Sequence, residues 1–223
     1  MKIKGAIFDM DGTIIDSMMF WDYLWSEVGK KYMNREDFRP SEELDRSVRT
    51  MIFVDAMAYF KEYYKLDVDT DELVRFASDG LSDFYRDVAR SKAGAPELLE
   101  HLRSQGIKMC LASATALAEV KGALESHGML GYFCDVLSCA DIGVGKDKPD
   151  IYLRALDSLG LPREEVCVFE DSFVALETAK KAGFRTVGVY EKYNFNQERV
   201  KAASDIYLDE QGTLADLIPM IEA

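Results

Sequence analysis

Two carboxylates stand two residues apart in Asp9-Met10-Asp11-Gly12-Thr13, directly after the apolar run Ala6-Ile7-Phe8. That run is too brief for a helix and reads as a buried strand of a parallel sheet. Ligands of open α/β sheets bind beyond the carboxyl ends of the strands, so both acids fall where a site belongs. Residues two apart on an extended chain point the same way, which predicts that Asp9 and Asp11 converge on one small volume. Ionised carboxylates that close repel, and burying them costs several kcal/mol unless a cation or a proton intervenes. A hard divalent ion such as Mg²⁺ suits oxygen donors. A proton retained by one of the pair would instead make it a general acid. The competing interpretation is a solvated Asp-Gly turn.

Three further patches carry suitable groups. Ser113-Ala114-Thr115 ends an apolar stretch ahead of a helix. A hydroxyl and backbone N–H groups at a helix start can cradle a phosphate, although serine is also an ordinary N-cap. The loop Gly143-Val144-Gly145-Lys146-Asp147-Lys148-Pro149-Asp150 offers two lysines. One of them aimed into the site would balance the carboxylates and an anionic substrate. Glu170-Asp171 closes the apolar run Val166 to Phe169, where two acids serve no evident packing purpose. Acids at a helix start are otherwise only mildly stabilising.

The elements that must position these groups follow from the pattern after Gly94. Strands are predicted over 107–113, 134–138, 166–169, 185–189 and 205–208. Helices are predicted over 96–105, 116–127, 149–159 and 172–182, several closed by glycine, with a terminal helix over about 213–221. Such alternation is the signature of right-handed βαβ units.

Between Asp16 and about Ala89 the period is helical instead, in three segments. Met18, Trp21, Tyr23, Leu24, Trp25 and Val28 form the first apolar face. Leu44, Val48, Met51, Ile52, Val54, Met57 and Phe60 form the second, with its start at Pro40-Ser41. Leu73, Val74, Ala77, Leu81, Phe84, Tyr85 and Val88 form the third, and the acidic run Asp69 to Glu72 suits its positive end. The expected fold is therefore α/β. A doubly wound parallel-sheet core (1–15 and 91–223) is broken by an inserted helical-bundle cap (16–90), read as a mobile lid over the site.

Composition narrows the partners. The 223 residues are 48% apolar and 30% charged, with a formal net charge of −13, as in a soluble globular protein. That charge argues against nucleic acid, whose phosphates need basic surfaces. Cys110, Cys134, Cys139 and Cys167 form no CxxC pair and are expected as buried free thiols. The first residues leave no room for a signal peptide, and no apolar run approaches the ~20 residues that span a bilayer. The expectation is a cytoplasmic monomer or weak homodimer with no membrane partner.

Asp9 to Thr13, Leu111 to Thr115, the Lys146 loop and Phe169-Glu170-Asp171-Ser172 resemble, in order, the four motifs of the haloacid dehalogenase-like phosphohydrolases. The subfamily with a helical cap after the first motif is the nearest in layout. The resemblance implies an enzyme with Asp9 as nucleophile and Asp11 as general acid and base. It implies Ser113 and the Ala114 N–H on the phosphate, with Lys146 rather than Lys148 balancing charge, although Asp147 replaces a usual proline. It also implies Mg²⁺ held by the Asp9 carboxylate, the Asp11 carbonyl, Asp171, and Glu170 directly or through water. The implied substrate is a small phosphorylated metabolite, cleaved through an aspartyl phosphate.

Phe20 and Trp21 open the first cap helix and either face the site or fill the cap interior. Sugar-phosphate mutases of this group often carry histidine where Trp21 stands, so Trp21 is expected as an aromatic wall for the substrate of a phosphatase. A phosphosugar mutase and a non-catalytic binding relative are the alternatives. Arg46 and Arg49 either meet a second anionic group or lie on solvated helix faces. His101 and His127 are expected to be structural.

Overall fold

The computed structural model describes residues 1–49, 51 and 53–221. In chain order its strands are β1 (Gly5–Phe8), β2 (Ile15–Asp16), β3 (Arg90–Ser91), β4 (Lys108–Ser113), β5 (Asp135–Ser138), β6 (Val166–Glu170), β7 (Arg185–Val189) and β8 (Ile206–Leu208). Six of them form one parallel sheet in the order β5-β4-β1-β6-β7-β8. β1 and β6 are buried along their whole length, which is why their residues read as unbroken apolar runs rather than an alternation. The helix Asp150–Leu159 packs on β1, β4 and β5, and Phe173–Lys181 packs on β6 and β7. Ile7, Cys110, Val168, Tyr152, Ala155 and Leu159 meet in the core between the first of these helices and the sheet.

From β1 the chain moves outward through β4 to β5, then returns to lay β6 on the other side of β1. The direction of travel reverses between β1 and β6, and a crevice opens at such a switch point in doubly wound sheets. Phe8 pairs with Phe169, and the Asp9 N–H continues the ladder to the Phe169 carbonyl at 3.0 Å. Asp9 and Glu170 must therefore leave the sheet side by side, one strand spacing or about 4.8 Å apart.

The chain divides into two compact units, Met1–Ser17 with Ala89–Ala223, and Met18–Val88. β2 and β3 pair antiparallel where the first unit is interrupted, with Ile15 opposite Ser91 and Asp16 opposite Arg90.

The second unit contains the helices Phe20–Met33, Glu42–Val48, Phe53–Tyr64 and Thr70–Asp87. Ser41 caps the second through Leu44 N, and Asp69 caps the last through Asp71 N and Glu72 N. Its interior is aromatic: Trp25 stacks on Phe60 at 4.4 Å, and Phe20 lies 5.4 Å from Phe84. The second apolar segment is thus two helices rather than one. No Gly or Pro marks the break. Arg49, at the C-terminal cap of the first of them, pairs four residues back with Asp45 and reaches Asp22 and the Met18 carbonyl. Its side chain is only 9% exposed, so Arg49 does not lie on a solvated face, whereas Arg46 beside Glu42 does. Ile52 lies outside the described residues. Tyr23, Met51, Val54 and Val88 are exposed rather than part of the apolar interior.

Other departures are local. The terminal helix is a 3₁₀ helix, Leu214–Met220, opened by a Thr213–Asp216 capping box. Pro219 within it lacks the N–H that an α-helical turn would use. The helix Gln197–Ala203 and the single turn Cys139–Ile142 have too few apolar positions to show a period. Cys110, Cys139 and Cys167 are buried free thiols, but Cys134 is exposed because it precedes β5 rather than lying within it. No helix among the described residues is long and apolar enough to cross a membrane.

Candidate active site

Immediately past β1 the chain turns instead of running on. The amides of Thr13, Ile14 and Ile15 all donate to the Met10 carbonyl, and Gly12 takes φ 78°, a conformation that disfavours a side chain. The two aspartates stay near enough for Asp11 to raise the Asp9 carboxyl, but their side chains have different partners. Asp9 joins Glu170 and Asp171 in a buried group whose nearest oxygens all lie within 4.8 Å of one another. The Asp11 carboxylate is held by Ser17 Oγ at 2.7 Å and Thr115 Oγ1 at 2.8 Å.

Lys146 enters this group from its loop. Its ammonium donates to Asp9 Oδ1, and to Glu170 Oε1 at 2.6 Å. Lys148 is exposed. Glu170 also accepts from the Tyr152 hydroxyl at 3.4 Å, and its Oε2 accepts the amides of Asp171 and Ser172 at 3.0 Å each. Oε1 is thus engaged by Lys146 and Tyr152, and Oε2 by two amides at the start of the helix Phe173–Lys181. Thr13 Oγ1 lies between Asp9 Oδ2 at 3.3 Å and Asp171 Oδ1 at 3.4 Å. Ser113 is wholly buried at the end of β4, its Oγ accepting the Thr115 amide at 3.0 Å, and Ala114 beside it is exposed.

The electrostatics follow from crowding. Burial pushes the Asp9 carboxyl up to about 7; Lys146 opposes the shift, while Glu170 and Asp11 add to it. Burial, then Glu170 and Asp9, hold Asp171 well above the carboxylate range. For Lys146 burial would lower the pKa, but Asp9 and Glu170 outweigh it and keep the ammonium charged. Three carboxylates around one ammonium leave an excess of two negative charges if all are ionised. A donor set of carboxylate oxygens with surplus negative charge fits a hard divalent cation.

The family model described as haloacid dehalogenase-like hydrolase matches residues 3–183. The chain belongs to that family. A phosphorylated carbohydrates phosphatase of Thermotoga maritima is 27% identical over 204 residues, covering 91% of this chain and 92% of its own. The crystal structure of CbbY from Rhodobacter sphaeroides in complex with phosphate has a TM-score of 0.81 at 24% identity over 96% of each chain. A putative beta-phosphoglucomutase from Thermotoga maritima gives 0.80 at 23% identity over 98% of each chain. These two structures share the fold of this hydrolase.

Several groups around the site of this haloacid dehalogenase-like hydrolase escape a reading of its sequence. Asn194 donates to the Asp171 side chain and carbonyl. Lys92, beside β3, bonds the Gly12 carbonyl and the buried Glu191. Thr115 and Ser17 hold Asp11. Thr115 stands in a patch already noted for its serine, so only its hydroxyl was there to be noticed. The others carry no local signal. Trp21 belongs to the second unit, half-buried at 5.5 Å from Trp25 and 6.1 Å from Phe53. His127 ties the carbonyls of Ala123 and Ala89.

Proposed function

We propose that this hydrolase is a Mg²⁺-dependent phosphatase that cleaves a small phosphorylated metabolite through an aspartyl phosphate on Asp9. The observation that carries the reading is the convergence of Asp9, Glu170 and Asp171 around Lys146 at the switch point of the sheet. Asp9, Asp171, Glu170 and the Asp11 carbonyl would hold the ion. When bound, it would offset the charge of the phosphate and of the carboxylates that face it.

The side chains supply the rest. Lys146, anchored on Glu170, presents its ammonium beside the attacking Asp9 oxygen and draws the phosphoryl group toward it. Asp9 attacks phosphorus, and the bond to the leaving oxygen breaks. Asp11, steadied by Ser17 and Thr115, gives that oxygen a proton and later takes one from the water that hydrolyses the acyl phosphate. Ser113 and the Ala114 N–H bind the phosphate oxygens. Residues 16–90 act as a cap that selects the substrate, with Trp21 as an aromatic contact. The Thermotoga relative named for phosphorylated carbohydrates makes sugar phosphates the first class to try.

The test is a panel of phosphorylated metabolites assayed for phosphate release with Mg²⁺ and with EDTA. Release that requires Mg²⁺ is expected. Sugar isomers interconverting faster than phosphate appears, in the presence of a bisphosphate primer, would replace the phosphatase with a mutase. No release from any compound would leave a binding protein.

A further inference from the structure

Asp171 carries a partner that the four motifs do not include. The Asn194 side-chain nitrogen donates to Asp171 Oδ2 at 2.5 Å and to the Asp171 carbonyl at 3.0 Å. Both of those atoms are acceptors, so only the nitrogen end of the amide can face them. Asp171 Oδ1 has a longer contact, 3.4 Å from Thr13 Oγ1, on the side toward Asp9.

Asn194 is itself held firmly. Its backbone N–H donates to the Glu191 carbonyl at 3.0 Å. The Gln197 amide reaches both the Glu191 carbonyl at 2.7 Å and the Asn194 carbonyl at 3.2 Å, and Gln197 is tied in turn to the Tyr207 hydroxyl. Glu191 is buried, accepts the Tyr193 amide at 3.1 Å and pairs with Lys92 at 2.8 Å. Lys92 closes the chain of bonds by donating to the carbonyl of Gly12, in the turn between Asp9 and Thr13. One segment, Tyr190 to Gln197, thus braces both strand ends that carry the acidic group.

We propose that Asn194 is a positioning residue that commits Asp171 to offering a single oxygen, Oδ1, to the divalent ion. The inference rests on the Mg²⁺ reading above. A carboxylate free to turn about its last torsion can present one oxygen or both. Mg²⁺ is small and demands near-ideal octahedral geometry, whereas Ca²⁺ accepts bidentate carboxylates in a flexible shell. Occupying Oδ2 with an amide therefore favours the smaller ion. Partners of metal-binding carboxylates typically account for about 10–100-fold in affinity.

The experiment is calorimetric titration of the metal-free protein and of Asn194→Ala with MgCl2 and with CaCl2. The variant is expected to bind Mg²⁺ about tenfold more weakly and Ca²⁺ nearly as well as before, so the Mg²⁺/Ca²⁺ preference falls. Mg²⁺ affinity unchanged within about twofold, or both ions weakened equally, overturns the inference. If Asn194→Ala does not fold, Gln197→Leu keeps the amide, loosens its loop and is read by the same ratio. A wild-type protein that binds neither ion removes the metal reading itself and this inference with it. Wild-type binding with an indifferent variant removes only this one.

Discussion

Lys146 and Glu170 form a buried ion pair at 2.6 Å in which the glutamate is also gripped by two backbone amides. The lysine thus has a fixed anchor on one side and its other bond to the Asp9 carboxylate. Side-chain exposures of 12% for Lys146 and 1% for Glu170 keep water from screening the pair.

Removing that lysine should harm folding as well as activity. Lys146→Met leaves buried carboxylates uncompensated, and breaking such a pair costs about 3–5 kcal/mol. The expected result is a lower melting temperature without metal, partly restored by Mg²⁺, and negligible turnover of p-nitrophenyl phosphate. Lys148→Ala, at an exposed position, should match the wild type in both.

Asp9→Asn should separate function from stability in opposite directions. Turnover is expected to fall by roughly three orders of magnitude or more, as when a covalent nucleophile is lost. The metal-free fold should become more stable at pH 8, because a carboxylate that burial holds near 7 must ionise there against desolvation and the charges of Glu170 and Asp11. Full turnover by the variant would remove Asp9 as the nucleophile. A less stable variant would show that its bond to Lys146 outweighs the repulsion.

Proton and cation should compete at Asp9. Its carboxyl rises on folding from the usual 3.8 to about 7, so between these values the folded metal-free protein holds a proton that the unfolded chain lacks. The resulting stability is present below 3.8 and is lost as pH rises through about 7. A divalent ion must displace that proton, so Mg²⁺ affinity should weaken about tenfold for each pH unit below 7 and level off above it. Titrations at pH 5.5, 6.5 and 8 check this, and a flat response would contradict it.

Asp11 should matter in proportion to how badly the leaving group needs a proton. Asp11→Asn is expected to slow hydrolysis of a sugar phosphate far more than of p-nitrophenyl phosphate, whose phenolate leaves readily. Thr115→Val, which removes one of the two hydroxyls on that carboxylate, should show the same asymmetry more weakly. Equal loss on both substrates would argue for a binding role.

The sheet was legible because its strands are short and apolar, and the three central ones run straight into their chemistry: Phe8 into Asp9, Phe169 into Glu170, Ala112 into Ser113. Lys146 was legible through the motif around it. The grip of Asn194 on Asp171 was not, since it joins residues 23 apart through a loop without periodicity. The break near Arg49 was hidden for a related reason. Arg49 has a readable partner four residues back in Asp45, but nothing in local propensity announces its bond to Asp22, 27 residues away.

The small ribbon formed by Ile15–Asp16 and Arg90–Ser91 has a genetic consequence. It holds Asp16 and Arg90, each one residue from a cut end of the larger unit, about 5 Å apart, the width of one β rung. A tight turn of two residues can bridge such a gap. On the ribbon's geometry alone, Met18 to Val88 is thus the stretch that a short turn, or another folded insert whose own ends lie close, is able to replace.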